Sequence, residues 1–141
     1  VGAATVAPGN SVGTLSTGDL VLDTTSILAF ELQSNDFTVG GGINDLISTA
    51  GDLTLDGTLQ VTGLGGALTP GSYRLVNYTG GLTNNVLTID STFLATYPGT
   101  TIDTATTGQV NLVVVPEPTA VVLFATGATC SLLVLRRSRR L

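Results

Sequence analysis

The chain has no histidine, lysine, methionine or tryptophan and a single cysteine, and each gap closes a class of function. Without histidine and lysine it lacks the side chain used most often as a general base, the usual zinc ligand and the lysine of phosphate-binding loops. The one cysteine, Cys130, cannot form a disulfide within the chain, so an extracellular body must be held by backbone ladders and apolar stacking. Cys130 itself lies in an apolar run and reads as a small filler. Basic charge is equally scarce. Before Pro116 one arginine, Arg74, stands against nine acids, a net charge of −8 that repels phosphate polymers and argues against nucleic acid as a partner. Those acids are scattered through turns and form no pair of the kind a glycosidase needs, and seven aromatics leave little for stacking on sugars. No catalytic residue, cofactor or metal site is assigned, and the chain reads as a non-enzyme.

What is present is an alternation of period two. Leu20 and Leu22 alternate with Val21 and Asp23, Leu28, Phe30 and Leu32 with Ala29 and Glu31, Leu53 and Leu55 with Thr54, Leu59 and Val61 with Gln60, and Leu87 and Ile89 with Thr88. Gly and Pro clusters separate these runs, among them Pro8-Gly9-Asn10, Gly40-Gly41-Gly42, Pro70-Gly71 and Pro98-Gly99. No sustained helical stripe precedes Pro116, so the body is expected to be all-β.

Part of the pattern repeats. Gly18-Asp19-Leu20-Val21-Leu22-Asp23 recurs thirty-three positions later as Gly51-Asp52-Leu53-Thr54-Leu55-Asp56. Short strands with glycine turns cannot bury their own apolar face, and stacking of successive coils solves this, which favours a parallel β-solenoid; a closed sandwich or jelly roll is the alternative. The solenoid predicts Leu20 and Leu53 in one core, on parallel neighbouring strands ~4.8 Å apart. The matching aspartates, Asp19 with Asp52 and Asp23 with Asp56, read as turn caps, and in stacked coils they could form ladders. Gly40 to Ser48 approaches a calcium-binding nonapeptide, but Ile43 stands where glycine is needed and there is one copy, so it reads as a glycine loop. An uncovered solenoid end would template aggregation, and Tyr73 to Tyr78, with strands near Leu87 and Val110, is expected to form an antiparallel cap.

The last stretch differs in kind. Pro116-Glu117-Pro118 is followed by an apolar run from Thr119 to Leu135, then by Arg136, Arg137, Ser138, Arg139 and Arg140. Two prolines keep Val115 and Glu117 extended and start a helix near Thr119. At ~1.5 Å per residue the run reaches ~26 Å, just enough to cross a hydrocarbon core. Arg136, Arg137, Arg139 and Arg140 set its direction, with the body outside and the C-terminus in the cytoplasm. A permanent single-pass anchor behind a proline-rich stop is the plainer alternative.

The order of these parts closely resembles the PEP-CTERM sorting signal of bacterial envelope and exopolysaccharide-associated proteins. The resemblance implies export, an exosortase-type processing enzyme as partner with Pro116, Glu117 and Pro118 as its motif, exopolysaccharide as a further partner, and inner-membrane anchoring before release to the cell surface. The chain opens at Val1 in mid-pattern, so a cleavable export signal and further repeats are expected upstream. The segments Pro8 to Leu15, Gly51 to Leu59, Gly71 to Tyr78 and Thr107 to Val114 resemble the C-terminal part of autotransporter-associated β-strand repeat proteins. That similarity implies a right-handed parallel β-helix with a passive surface role.

Two parts are therefore expected: a β-strand repeat body over residues 1–115, and a sorting signal over residues 116–141 carrying one transmembrane helix. From another class of function, a polysaccharide-binding or carbohydrate-active β-helix module with a permanent anchor fits the same chain. An exposed aromatic row along one sheet would favour that module.

Overall fold

The computed structural model describes residues 4–116. In chain order the strands are β1 (Thr5–Val6), β2 (Thr14–Thr17), β3 (Leu20–Val21), β4 (Ile27–Gln33), β5 (Leu46–Thr49), β6 (Leu53–Leu55), β7 (Thr58–Leu64), β8 (Gly71–Tyr78), β9 (Leu82–Asn84) and β10 (Thr88–Ile89). A short helix, α1 (Ser91–Thr96), precedes β11 (Thr101–Asp103) and β12 (Gln109–Val114).

These strands form three sheets that the chain visits in rotation. The first is β1-β4-β7-β10, the second contains β2-β5-β8, and the third is β3-β6-β9, with every neighbour in these sets parallel. One circuit of the three sheets is one coil. Leu20 pairs in register with Leu53, and Leu53 with Leu82, so the thirty-three-residue repeat becomes one row of leucines stacked along the coil. Leu15, Ile47, Val76 and Val110 make a second row, and Val6, Leu28, Leu59 and Ile89 a third.

Alternation explains why the rows face inward. Along β4 the buried residues are Leu28, Phe30 and Leu32, and Leu53 and Leu55 of β6 are fully buried. Each leucine taken out of water contributes about 1.5–3 kcal/mol, which supplies by repetition what disulfides supply in other small extracellular folds. A sandwich is built from antiparallel sheets. The parallel register here does not fit that alternative.

The far end departs from the coil. β12 adds antiparallel to β8, with a bulge between Val110 and Asn111, and β11 adds antiparallel to β12. The antiparallel cap therefore lies where Tyr73 to Tyr78 and Val110 were expected to place it. Leu87 does not belong to it, because the neighbouring β10 pairs parallel with β7 and simply begins another coil. That coil stops after two residues. Asp90 ends it by capping α1, its carboxylate accepting from the backbone N–H groups of Thr92 and Phe93. This helix corrects the strictly all-strand reading of the body. Under two turns long, with Phe93 as its buried residue, it has no room for a readable apolar stripe.

The transmembrane helix read from Thr119 to Leu135 lies outside the described residues, as do Glu117, Pro118, Arg136, Arg137, Arg139 and Arg140. Among the described residues no helix is long and apolar enough to cross a membrane.

Candidate functional site: the closed end of the coil

The acids show what this body spends its charge on. Each of the eight aspartates among the described residues accepts a hydrogen bond from a backbone N–H. Asp23 takes that of Thr25, Asp36 that of Thr38, Asp56 that of Gly57 and Asp103 that of Ala105, all local caps of turns. The Thr25 hydroxyl and N–H, with the Ser26 hydroxyl, hold Asp23 below the usual carboxylate value. Thr38 does the same for Asp36.

Two aspartates reach between coils. Asp19 Oδ1 accepts from Asp52 N–H at 2.9 Å, and Asp52 Oδ1 accepts from Gly81 N–H at 2.7 Å. The ladder runs one way, each carboxylate serving the following coil, and it stops at Gly81, which carries no carboxylate. Such close approach needs glycine alongside: a Cβ on Gly51 would overlap the Asp19 carboxylate, and one on Gly80 the Asp52 carboxylate.

The Gly40 to Asp45 loop is bound into the coil. Asp45 is buried and divides its carboxylate between Gly13 N–H and Glu31 N–H, each at 2.7 Å. Asn44, also buried, accepts from Gln33 N–H and donates to the carbonyls of Asp36 and Thr38. These oxygens already hold backbone donors, so the residues that suggested a calcium loop serve as internal clamps. No group of metal-ligating side chains occurs among the described residues.

At the closed end the organising residue is Arg74, the one basic side chain among the described residues. It lies between the buried Tyr73 and Leu75 on β8 and so faces outward. Its Nε donates to Asn111 Oδ1 at 2.7 Å, one terminal nitrogen donates to Asn77 Oδ1 at 2.7 Å, and the other to Gln109 Oε1. The register shifts between Val110 and Asn111, where Leu75 of β8 has no opposite number, and Gln109 and Asn111 lie on either side of that shift, so the guanidinium clamps β12 onto β8 where the ladder is irregular. In the sequence Arg74 counts only in the charge balance. Three amides at the right spacing on two strands could have flagged it only once the pairing was known.

The expected processing motif begins where the description ends. Val115 follows β12 and packs beside Gly99, whose added Cβ would come within 2.9 Å of Val115 Cγ2, and Pro116 is exposed.

An exposed aromatic row is not found among the described residues. The large apolar side chains left exposed are Val21, Phe37, Val39 and Val86, and Phe37 rests on the Tyr73 ring at 4.9 Å. The second half of β7, around Gln60 to Gly63, faces α1 across an open groove of about 430 Å³ that also contains Asp90, Thr92 and Tyr97.

Fold and site together define a three-sheet parallel coil, capped on one sheet, whose aspartates are used to hold backbone N–H groups. Among characterised proteins, the chain is 50% identical over 110 residues to the adhesin BmaC autotransporter of Brucella suis biovar 1 (strain 1330). The aligned stretch is 76% of this chain and 3% of that protein, so the chain spans a small piece of its relative's length. No protein-family model matches the chain, and no solved structure matches it.

Proposed function

We propose that this chain is the closing stretch of an exported, non-catalytic bacterial surface protein, followed by a C-terminal sorting signal. The observation that carries the reading is the asymmetry of the coil: at one end all three sheets finish on parallel coil strands, β1, β2 and β3, and at the other the second sheet turns antiparallel through β12 and β11 while β9 and β10 end the other two. Open edges that repeat the register of the coil suit stacking of further coils, whereas an antiparallel cap ends the stack. The similarity to an adhesin autotransporter supports a surface location. A right-handed winding follows from the strong preference of parallel crossover connections for that hand.

In this reading residues 116–141 direct the protein through the inner membrane and out to the surface. Pro116, Glu117 and Pro118 form the extended segment read by an exosortase-type enzyme. Residues 119–135 hold the protein in the membrane until it is cut, and Arg136, Arg137, Arg139 and Arg140 keep the terminus in the cytoplasm. The exported body then joins the matrix outside the cell, with exopolysaccharide as its neighbour there.

The test is processing in a host that carries an exosortase. Glu117→Ala with Pro118→Ala leaves the body folded, because neither residue belongs to its apolar rows, and blocks conversion to a shorter form, so the uncut protein accumulates in the membrane. Size and membrane partitioning of both proteins are measured. If wild type and double mutant retain the C-terminal arginines equally, the sorting reading fails and a permanent anchor replaces it.

A further inference from the structure

The Arg74 clamp leaves a surplus of donors. A guanidinium has five N–H groups and no acceptor. Three of these are used on Asn111, Asn77 and Gln109, so each terminal nitrogen keeps one N–H. Because the three amides turn their oxygens to the arginine, their NH2 groups point away from it, and none of these nitrogens has a partner among the described residues. Asn111 is 7% exposed as a residue, and its unpaired Nδ2 still reaches the surface. No carboxylate is among the hydrogen-bond partners of Arg74. The result is a patch of donors around a cation that no carboxylate bonds, on the outer face of a sheet.

Donors without acceptors are matched by a group that only accepts, and among common biological groups that is an oxyanion such as a carboxylate. Only one cation is present, in a body of net charge −8, so a densely charged polyanion is repelled and a ligand with one isolated carboxylate is favoured. A polar track leads away from the patch. Gln109, Asn77, Ser48 and Ser16 are in register across β12, β8, β5 and β2 on the outward face. Side chains ~4.8 Å apart that both donate and accept suit a run of sugar hydroxyls.

We infer that the outer face of β8 and β12 is a binding site for a saccharide bearing a uronic acid, with Arg74, Asn77, Gln109 and Asn111 holding the carboxylate and the Ser48 and Ser16 track holding the neutral part. Asp103, in register with Asn111 on the far side of β12, is a negative charge in the same row and limits the affinity. The place where such a ligand is met rests on the surface reading above, while the chemistry of the site does not depend on how the tail is processed.

The test is a titration of the full chain in detergent with cellobiouronate, one carboxylate on an otherwise neutral disaccharide, followed by NMR of side-chain N–H groups. The expected result is movement of the Arg74 Nε–H and of the Asn77, Gln109 and Asn111 NH2 signals, with cellobiose binding about 10-fold or more weakly. Arg74→Lys keeps the charge but loses the fork, and weakens cellobiouronate by a similar factor. Asp103→Asn tightens it. Thermal unfolding of each variant identifies any that fails to fold. Equal binding of cellobiose and cellobiouronate, equal binding of acetate alone, or indifference to both substitutions in folded protein overturns the inference. None of these outcomes bears on tail cleavage, so the two proposals fail separately.

Discussion

At the scale of single residues, polar atoms inside this coil fall into two energetic classes. Asp45 satisfies two part-buried backbone donors from different turns, Gly13 and Glu31. Replacing it with alanine strands both, and because they are part-buried the cost falls at the low end of about 1–3 kcal/mol each, so Asp45→Ala is expected to lose about 2–3 kcal/mol in chemical denaturation. Thr49 is the opposite case. Its hydroxyl is buried without a partner among the described residues. Thr49→Val keeps the β-branched shape that suits β5 and removes the unsatisfied oxygen, and a gain of about 1 kcal/mol is expected in the same measurement. The two substitutions should move the unfolding midpoint in opposite directions. Little of this was legible from sequence, since nothing in the order of residues separates Asp45 from the aspartates that cap local turns.

At the scale of elements, turns fix where one sheet gives way to the next. Gly57 joins β6 to β7 with φ +83°, and a Cβ there would overlap the carbonyl oxygen of Ser26 in the preceding coil. Gly57→Ala is expected to cost about 2 kcal/mol or more, from the left-handed backbone and the overlap together. Gly18→Ala meets nothing within 4 Å and should stay within about 0.5 kcal/mol of wild type. Thermal unfolding of the pair checks this. The strands were largely legible, because leucine at every second position survives into the structure as the buried face of β4 and β6. α1 was not, because a helix of six residues with one buried side chain leaves too short a trace, and only Asp90 marks its start. The antiparallel strand was sited correctly near Val110 and wrongly near Leu87, since alternation sets which face is buried but not which way a neighbour runs.

At the scale of the whole molecule, the thirty-three-residue repeat carried the stacking, and the structure turns it into the Leu20, Leu53 and Leu82 row. The Arg74 patch could not be read in advance, because Asn77 and Gln109 meet only through the β8 and β12 register. The cap invites a direct test. Removing residues 101–116 strips Val110, Leu112 and Val114 from the core and bares the long edge of β8. The shortened body is expected to self-associate through that edge, at lower concentration than the capped body does, which light scattering across a concentration series of both would report.

The one-way aspartate ladder also has a mechanical consequence. Each coil is bonded to its neighbours alone, so a pull along the stack peels coils singly, beginning where no cap closes the edge. Each coil released between Asp19 and Asp52 frees a thirty-three-residue contour, roughly 110 Å of extended chain, before the next bears load. A tether of this design yields in instalments, and the segment nearest the clamped end is the last to let go.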